Sequence, residues 1–205
     1  MKPAEKSQGG RPWSFDREQA VETAMRLFWR YGYEGVSVGD LTKAIGVAPP
    51  SLYAAFGNKA GLYGEALRRY EEHYSSLDLA SVKKAASVAD AVRGMLENAV
   101  AAVTDPAREA GCMISSGMVA CHPGLQDLAQ DAAHRRDVML DAIAAAFAPL
   151  LPDAPAAHRL ARYLSAIMQG ISIQARDGIA RDELLAIVDD VVLGLDARHL
   201  DAARH

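Results

Sequence analysis

Apolar residues recur three and four positions apart along almost the whole chain, and this spacing constrains the fold more than any other feature. Ala20, Val21, Ala24, Leu27 and Phe28 are one example. This period places apolar side chains on one face of an α-helix, whereas a strand would alternate them singly. With 205 residues, 50% of them hydrophobic, the chain can bury a full core. The sequence therefore predicts an all-α protein of one or two domains.

Capping residues, glycines and prolines mark where the helices begin and end. Asp16 begins the first helix and Gly32 ends it. Ser37 and Asp40 have the spacing of a capping box, and Gly46 ends the helix that they begin. Serines near 75–76 and 81–87 indicate a break in the chain. We predict helices over residues 16–31, 37–45, 49–55, 59–77, 87–104, 107–121, 125–148, 155–177 and 181–197.

The net charge of −4 excludes a basic coat protein for nucleic acid, but the charges are unevenly distributed. Residues 1–60 hold 8 Lys and Arg against 6 Asp and Glu, so this end of the chain is the basic one. The first residues lack the apolar stretch of a signal peptide. No run approaches the roughly 18 apolar residues of a membrane-spanning helix. We expect a cytoplasmic protein without a membrane partner.

Two short predicted helices joined at Gly46 form a helix-turn-helix pattern. In such a pair the second helix can lie in the major groove of double-stranded DNA, although the same pattern also occurs as a simple packing unit. Proline suits a first helical turn, so Pro49 and Pro50 begin the second helix and offer apolar contact to bases. Ser51 can bond to a phosphate or to a base edge.

Polar residues around this pair have the chemistry that phosphate groups require. Ser37 and Gly39 lie at a helix N-terminus, where free N–H groups attract anions. Tyr53 and Lys59 can contact the DNA backbone, and Lys43 lies on the polar face of its helix. The alternatives are a half-buried packing role for Tyr53 and a solvated surface charge for Lys59.

Several segments resemble the TetR/AcrR family of bacterial transcription regulators. They read AMRLFWRYGYEG at 24–35, SVGDL at 37–41, IGV at 45–47 and, above all, SLYAAFGNK at 51–59. GCMI at 111–114 and MQGISIQARDG at 168–178 match one subgroup more loosely. The resemblance covers about residues 13–67. It implies a homodimeric repressor with a ligand domain, and it favours DNA contacts for Tyr53 and Lys59.

One part of the pattern differs from the common form of the family. Many members begin the recognition helix with a serine, a basic residue and a glycine, whereas this chain has Ala48, Pro49 and Pro50. No lysine or arginine is present there to bond guanine. The operator of a relative therefore cannot be transferred to this chain.

These observations divide the chain into three parts. Residues 1–12 are expected to be a flexible arm, in which Arg11 could enter a minor groove. Residues 13–60 are the predicted helix-turn-helix DNA-binding domain. Residues 61–205 are the predicted regulatory domain, which binds a ligand and dimerises.

The regulatory domain is expected to bind an unknown small-molecule effector in a mostly apolar cavity. The effector would release the DNA by favouring a dimer whose recognition helices are wrongly spaced. Apolar residues at helical spacing are first of all core residues, so none is assigned as a ligand contact. The candidates for the cavity wall are Met95, Met113, Met118, Phe147 and Met168.

The last two predicted helices carry apolar stripes larger than one small helical domain must cover. Two copies of each helix would form an intermolecular four-helix bundle, which also positions the recognition helices. The predicted interface residues are Leu160, Tyr163, Leu164, Ile167, Ile171, Gln174, Leu184, Ile187, Val188, Val191, Val192 and Leu195.

Soft ligands cluster between Cys112 and His122, where Cys121 also lies. They could bind copper(I) or zinc, or a thiol could be oxidised. However, the cysteines lack a C-x-x-C spacing. We therefore predict no metal and no cofactor, and a metal- or thiol-responsive regulator stays an alternative.

Motifs of catalysis are missing from the sequence. It has no nucleophile elbow, P-loop, H-E-x-x-H or GxGxxG motif, so we predict no catalytic residues and no enzyme. A helical ligand-binding or scaffold dimer without a DNA function is a further alternative. The segment from Ser51 to Lys59 separates these classes, because DNA binding explains it and catalysis does not.

Overall fold

The computed structural model describes residues 15–74, 77 and 79–202, and it describes side chains as far as residue 195. The expected arm with Arg11 lies outside this part of the chain. The described residues contain helices and no strand, so the all-α prediction is confirmed. Within this part, no helix combines the length and apolarity needed to cross a membrane.

Nine α-helices and two 3-10 turns make up the regular structure of the described residues. The α-helices are α1 (Arg17–Tyr31), α2 (Val38–Ile45), α3 (Pro49–Phe56), α4 (Lys59–His73), α5 (Leu79–Val82), α6 (Val88–Val103), α7 (Gln126–Phe147), α8 (Ala154–Arg176) and α9 (Arg181–Ala202). The 3-10 turns are Pro123–Leu125, before α7, and Ala148–Leu150, after it.

Side-chain caps begin most of these helices, as the sequence predicts. The Asp16 carboxylate accepts the backbone N–H groups of Glu18 and Gln19 at 2.9 and 3.0 Å. Such a cap satisfies donors that have no acceptor inside the helix. Helices α3 and α7 lack a side-chain cap. In α3, Ala48 provides no side-chain acceptor. Prolines in its first turn reduce the number of N–H groups that need one.

The helices surround two hydrophobic cores. Residues of α1 to α4 form most of the first core, and residues of α5 to α9 form most of the second. Buried residues of α4 as far as Tyr70 belong to the first core. The unit that carries the helix-turn-helix therefore extends beyond residue 60, where the sequence suggests a domain boundary. We call α1–α4 the reading unit and α5–α9 the regulatory unit.

Residues 104–122 form an irregular segment, which we call the interdomain loop, so the predicted helix over 107–121 is wrong. Positive φ angles of 79° at Gly111 and 53° at Met118 interrupt any helix there. Arg136 on α7 donates from Nη1 to the carbonyl oxygens of Ile114 and Gly117, at 3.2 and 2.8 Å. The Arg136 side chain thus pairs two carbonyl oxygens that would accept backbone N–H groups if this segment were a helix.

The apolar residues of this loop explain why its pattern resembles that of a helix. Met113, Ile114 and Met118 are buried in the first core, between the reading unit and α7. Ile114 and Met118 lie four positions apart because both insert into a neighbouring core. Periodicity alone cannot distinguish this arrangement from a helix face.

The segment after α4 also differs from the prediction. Helix α4 ends at His73, with Tyr74 as its C-cap, instead of reaching residue 77. The four-residue helix α5 lies inside the stretch that the sequence marks as a break, and its Val82 is fully buried in the second core.

Candidate nucleic-acid interface

The first turn of α2 is held by a complete capping box. The Ser37 hydroxyl accepts the Asp40 N–H at 3.1 Å, and the Asp40 carboxylate accepts the Ser37 N–H at 2.9 Å. Hydrogen bonds from the Ser37 hydroxyl and N–H lower the pKa of Asp40, which is therefore ionised at neutral pH. Ser37 and Gly39 lie at the exposed N-terminus of α2, as predicted. The Asp40 carboxylate lies at the same N-terminus, so a phosphate bound there would be close to a negative charge.

The turn between α2 and α3 depends on Gly46. Its φ angle of 80° is left-handed, and its N–H donates to the Thr42 carbonyl at 2.9 Å. Glycine adopts this conformation without steric cost. Thr42 is itself buried, and Leu41 is fully buried in the first core. The turn therefore joins two helices that are fixed on the same core.

Helix α3 is anchored by two side chains and exposed elsewhere. Leu52 is fully buried and Phe56 is 7% exposed. Pro49, Pro50 and Tyr53 are exposed, and the Tyr53 side chain is 46% exposed. Ser51 is half-buried. The helix can therefore present a small apolar surface with one hydroxyl group to a groove.

Lys59 begins α4, the helix that follows α3. Its ammonium lies 4.1 Å from the centre of the Tyr33 ring, a cation–π geometry. Partial burial lowers the pKa of Lys59, and the nearby charge of Glu34 partly opposes that effect. Lys43 is exposed in the last turn of α2. The helices before and after α3 thus each carry a cation, and the Lys59 ammonium is held over an aromatic ring.

Tyr33 is the residue of this site that sequence reasoning missed. It lies in the segment that carries the family resemblance, but its position in the chain is 26 residues before Lys59. Its ring also packs against Tyr63, with 5.0 Å between the ring centres. No local spacing rule relates the two positions, so the contact appears only in the fold.

A partly buried ion cluster fixes α1 on α4. Glu22 accepts hydrogen bonds from Arg26, Arg69 and the Tyr74 hydroxyl. Burial alone would raise the pKa of Glu22. The hydrogen bonds from Arg69 and Tyr74, with the charges of Arg69 and Arg26, outweigh burial and lower it. These contacts therefore hold the first and fourth helices together.

A small cavity lies between the reading unit and the regulatory unit. Its free volume is about 30 Å³, which is about the space of one water molecule. Of the five predicted wall residues, Met168 lines it, whereas the other four are buried in the two cores. The lining residues are Tyr70, Leu77, Ala99, Val103, Cys112, Ile114, Ser115, Met139, Met168 and Ile171.

Polar groups in the cavity are few and uncharged. The Tyr70 hydroxyl lies within hydrogen-bonding reach of Cys112, and burial raises the pKa of Tyr70 strongly. The thiol of Cys112 also accepts the Ser115 N–H at 3.4 Å. Tyr70 belongs to α4, so one wall of the cavity is part of the reading unit.

The predicted dimer stripe needs a correction. Seven of its twelve residues are already buried within this single chain, where a second subunit cannot reach them. The sequence could not separate the face that packs on α6 and α7 from the outward face. Leu160, Tyr163, Ile167 and Ile187 are half-buried, and Gln174 is exposed. The seven buried residues are Leu164, Ile171, Leu184, Val188, Val191, Val192 and Leu195.

The predicted soft-ligand cluster is spread over different contacts. Both cysteines are free thiols. The Cys121 thiol approaches the Leu125 carbonyl at 4.0 Å, and His122 accepts the Gly124 N–H at 3.1 Å. Within the described residues no group of three His, Cys, Asp or Glu side chains could hold a metal ion.

Comparison with known proteins agrees with this geometry. Residues 20–66 match the family model described as bacterial regulatory proteins, tetR family. The HTH-type transcriptional repressor ComR of Escherichia coli (strain K12) is 32% identical over 189 residues, which are 89% of this chain and 90% of that protein. The repressor BdcR of the same strain is 32% identical over 178 residues, 86% of this chain and 87% of that protein.

A solved structure extends the similarity to three dimensions. The structure of the TetR family transcriptional regulator CifR, a cysteine mutant complexed with 26-base-pair double-stranded operator DNA, has a TM-score of 0.82 and 31% identity to this chain. The match covers 89% of this chain and 98% of that one. An exposed second helix on a helix-turn-helix, within this all-helical fold, defines a DNA-binding transcription regulator. The chain belongs to the TetR family, whose matched members here are regulators and not enzymes.

Proposed function

We propose that this chain is a cytoplasmic homodimeric repressor that binds a pseudo-palindromic operator and is released by a small-molecule effector. The carrying observation is the outward face of α3, where Tyr53 is exposed while Leu52 and Phe56 fix the helix. Recognition helices of this type read major-groove bases, while the residues around them contact phosphates.

Phosphate contacts predict a specific signature for two variants. Tyr53→Phe and Lys59→Ala should each weaken binding to every duplex alike. Lys59→Ala removes a cation and should also lower the salt slope by about one, whereas Tyr53→Phe removes a neutral hydroxyl and should leave the slope unchanged. Lys84→Ala, an exposed lysine of the regulatory unit, is the matched control. Titration of labelled duplexes at several salt concentrations gives the slope. Unchanged affinity in both variants would overturn the proposed interface, and selection from a random library would define the operator.

The proposed dimer interface is the outward face of α8 and α9. Ile173 is 49% exposed and Leu193 is 65% exposed on these helices. A side chain added at Gly170 or Gly194 would meet nothing within 4 Å in this chain. Glycine costs about 1 kcal/mol within a helix relative to alanine. Close approach of a second copy would explain both glycines, and the half-buried Tyr163, Ile167 and Ile187 flank them.

A glycine substitution separates dimerisation from folding. Gly170→Leu should give a folded monomer, because leucine would obstruct close helix packing while raising helix propensity. Gly94→Leu on α6 is the matched control, since a side chain there also meets nothing within 4 Å. Sedimentation equilibrium measures the mass of each. A monomeric wild-type protein, or a dimeric Gly170→Leu variant, would contradict this interface.

The cavity supports the effector part of the proposal. Its ten wall residues are uncharged, so an uncharged apolar molecule with one hydrogen-bonding group fits them. Such a molecule must displace flexible side chains such as Met168, because the unliganded cavity is small. Since Tyr70 lies on α4, this displacement would move the reading unit.

Reciprocity tests the effector. A coupling of about 1–3 kcal/mol lowers operator affinity about 5–150-fold, and the effector must prefer the DNA-free dimer by the same factor. Calorimetry with hits from a thermal-shift screen of uncharged apolar compounds measures both affinities. Equal affinity for the two forms would exclude a hit as an inducer.

The position of Cys112 favours a thiol-responsive regulator as a second candidate. Cys112 lines the cavity, whereas Cys121 does not. If a thiol senses oxidants, Cys112→Ser should keep operator binding after peroxide treatment, and Cys121→Ser should behave as the wild-type protein. Peroxide-insensitive binding by the wild-type protein would exclude this candidate.

A further inference from the structure

The last residue of α8 contacts the last turn of α1. The Arg176 guanidinium donates from Nη2 to the backbone carbonyl of Trp29. That carbonyl is one of the terminal acceptors that a helix leaves unpaired, and a cation is favoured at this end of the helix dipole. The contact joins positions 147 residues apart in the chain. It connects the reading unit directly with a helix of the proposed dimer interface.

The interdomain loop makes hydrogen bonds with both helices that this contact joins. The Trp29 indole donates from Nε1 to the Gly111 carbonyl at 3.0 Å. The next residue, Cys112, donates its N–H to the Ser172 hydroxyl at 2.7 Å. Hydrogen bonds therefore link helix α1, the loop and α8 in a closed ring that includes Arg176.

Gly111 is required by this arrangement. Its φ angle is 79°, and a Cβ there would lie 2.6 Å from Cγ of Arg176 and 2.8 Å from its Nε. The same Cβ would lie 2.8 Å from the Ser172 carbonyl oxygen. A residue other than glycine would displace the arginine stem or the backbone of α8. The loop thus fixes Arg176 by shape as well as by hydrogen bonding.

Stability alone does not explain an arginine at this place. Its Nε is buried without a hydrogen-bond partner among the described residues. Burial lowers the pKa of Arg176, although nearby Cys112 and the two buried tyrosines of α4 oppose this effect. A buried, incompletely paired cation contributes little to folding, and an apolar residue of similar volume often does better. The geometry that Arg176 imposes is therefore the feature that calls for an explanation.

We propose that Arg176 is a positioning residue for DNA recognition: by holding α1 on α8 it sets the distance between the two recognition helices of the dimer. Helix α1 shares one core with α3, through Trp29 and Phe28 on one side and Leu52 on the other. Gly170 and Ile173 of the proposed interface lie within two turns of Arg176 on the same helix. This inference rests on the proposed dimeric operator binding.

The test measures the preference for half-site spacing, which a purely structural role would leave unchanged. Full-length wild-type protein and Arg176→Met are titrated with the selected operator and with versions whose centre is one or two base pairs longer or shorter. Wild-type protein should strongly prefer the original spacing. The variant should bind that operator about tenfold more weakly and should discriminate among spacings by less than about threefold.

Three further variants make the result specific. Arg176→Lys keeps a donor for the Trp29 carbonyl and should restore most of the preference. Gly111→Ala disturbs the same contact from the loop and should reproduce the loss, which keeps the test valid if Arg176→Met folds poorly. Arg30→Met removes an exposed pair to the same loop, at 3.8 Å from Glu109, and should keep the wild-type preference.

The outcomes separate this inference from the proposed function. If folded Arg176→Met and Gly111→Ala both keep the wild-type spacing preference, the positioning role is overturned while operator binding stands. If the wild-type dimer binds a single half-site as tightly as the palindrome, the proposed operator is wrong. In that case the positioning role is overturned with it.

Discussion

The two cores of this protein are built from different side chains. In the reading unit, aromatic rings pack edge to face: Phe28 with Tyr63 at 5.1 Å and Trp29 with Tyr70 at 4.8 Å between centres. In the regulatory unit, the buried residues are mainly aliphatic, with Phe147 as the fully buried ring. Ring pairs have preferred orientations, whereas aliphatic side chains pack without such a preference. The reading unit is accordingly suited to hold a geometry, and the cavity lies at its border with the more adaptable core.

Trp29→Ala is the strongest way to break this comparison. The change removes a ring that is 1% exposed, its contact with Tyr70 and its hydrogen bond to Gly111. We expect the free energy of unfolding to fall by about 3–5 kcal/mol, as for other large core truncations. Urea unfolding followed by circular dichroism measures it. A loss below about 1 kcal/mol would show that the aromatic core does not determine stability.

Met168→Ala tests the other side of the comparison. Met168 already borders free space, so its removal should cost about 2 kcal/mol, the low end for such a truncation. The enlarged cavity should then bind benzene, seen as a higher melting temperature in its presence. Val138→Ala, at an exposed position of α7, leaves no cavity and is the control that should lack this response. A benzene response of the same size in the control would contradict the assignment of the cavity.

Features that depend on nearby residues could be predicted from the sequence. The caps at Asp16 and Ser37 and the stop at Gly46 act within a few residues, so the first three helices were predicted almost to their ends. The family resemblance added roles for Tyr53 and Lys59, which stay predictions. The structure shows that Tyr53 is exposed, and a short spacing rule cannot establish that.

Long-range contacts account for what the sequence could not predict. The sequence predicts a helix over 107–121, where Ile114 and Met118 lie four positions apart, while the decisive hydrogen bonds come from Arg136. The apolar residues of α9 also do not reveal from sequence whether they pack on this chain or on a second subunit. Val188 packs on this chain's own core, while Leu193 points outward. Only the folded chain distinguishes these faces.

Glu22→Gln tests how the stability of the reading unit depends on pH. The folded pKa of Glu22 lies below its ordinary value of 4.5, so its stabilisation is fully present above that value and is lost as the pH falls through the folded pKa. We expect the variant to lose about 1–2 kcal/mol at neutral pH, since bonds to a carboxylate are strong but its arginine partners are partly exposed. Its stability should also fall less steeply in acid.

Urea unfolding from pH 7 to pH 3 measures this difference between the two proteins. Glu97→Gln is the control, because Glu97 pairs with Arg93 on the exposed side of α6. A parallel pH dependence for Glu22→Gln and the wild-type protein would contradict a role of this cluster in fixing α1 on α4.

The smallest expected effect concerns the ring beneath Lys59. Tyr33→Leu removes the cation–π contact, which contributes about 0.5–1 kcal/mol at a partly exposed site. Operator affinity should therefore fall about two- to fivefold, because Lys59 must then be ordered by the DNA alone. Tyr33→Phe keeps the ring and should bind as the wild-type protein does. Leucine also removes packing on Tyr63, so thermal melting is used to select conditions in which all variants are folded.

A double-mutant cycle with Lys59→Ala isolates the contact. If the ring acts through the ammonium, Tyr33→Leu should have no further effect on operator affinity once Lys59 is alanine. An equal effect with and without Lys59 would mean that Tyr33 acts on the reading unit as a packing residue. Lys59 would then be positioned by the first turn of α4 alone.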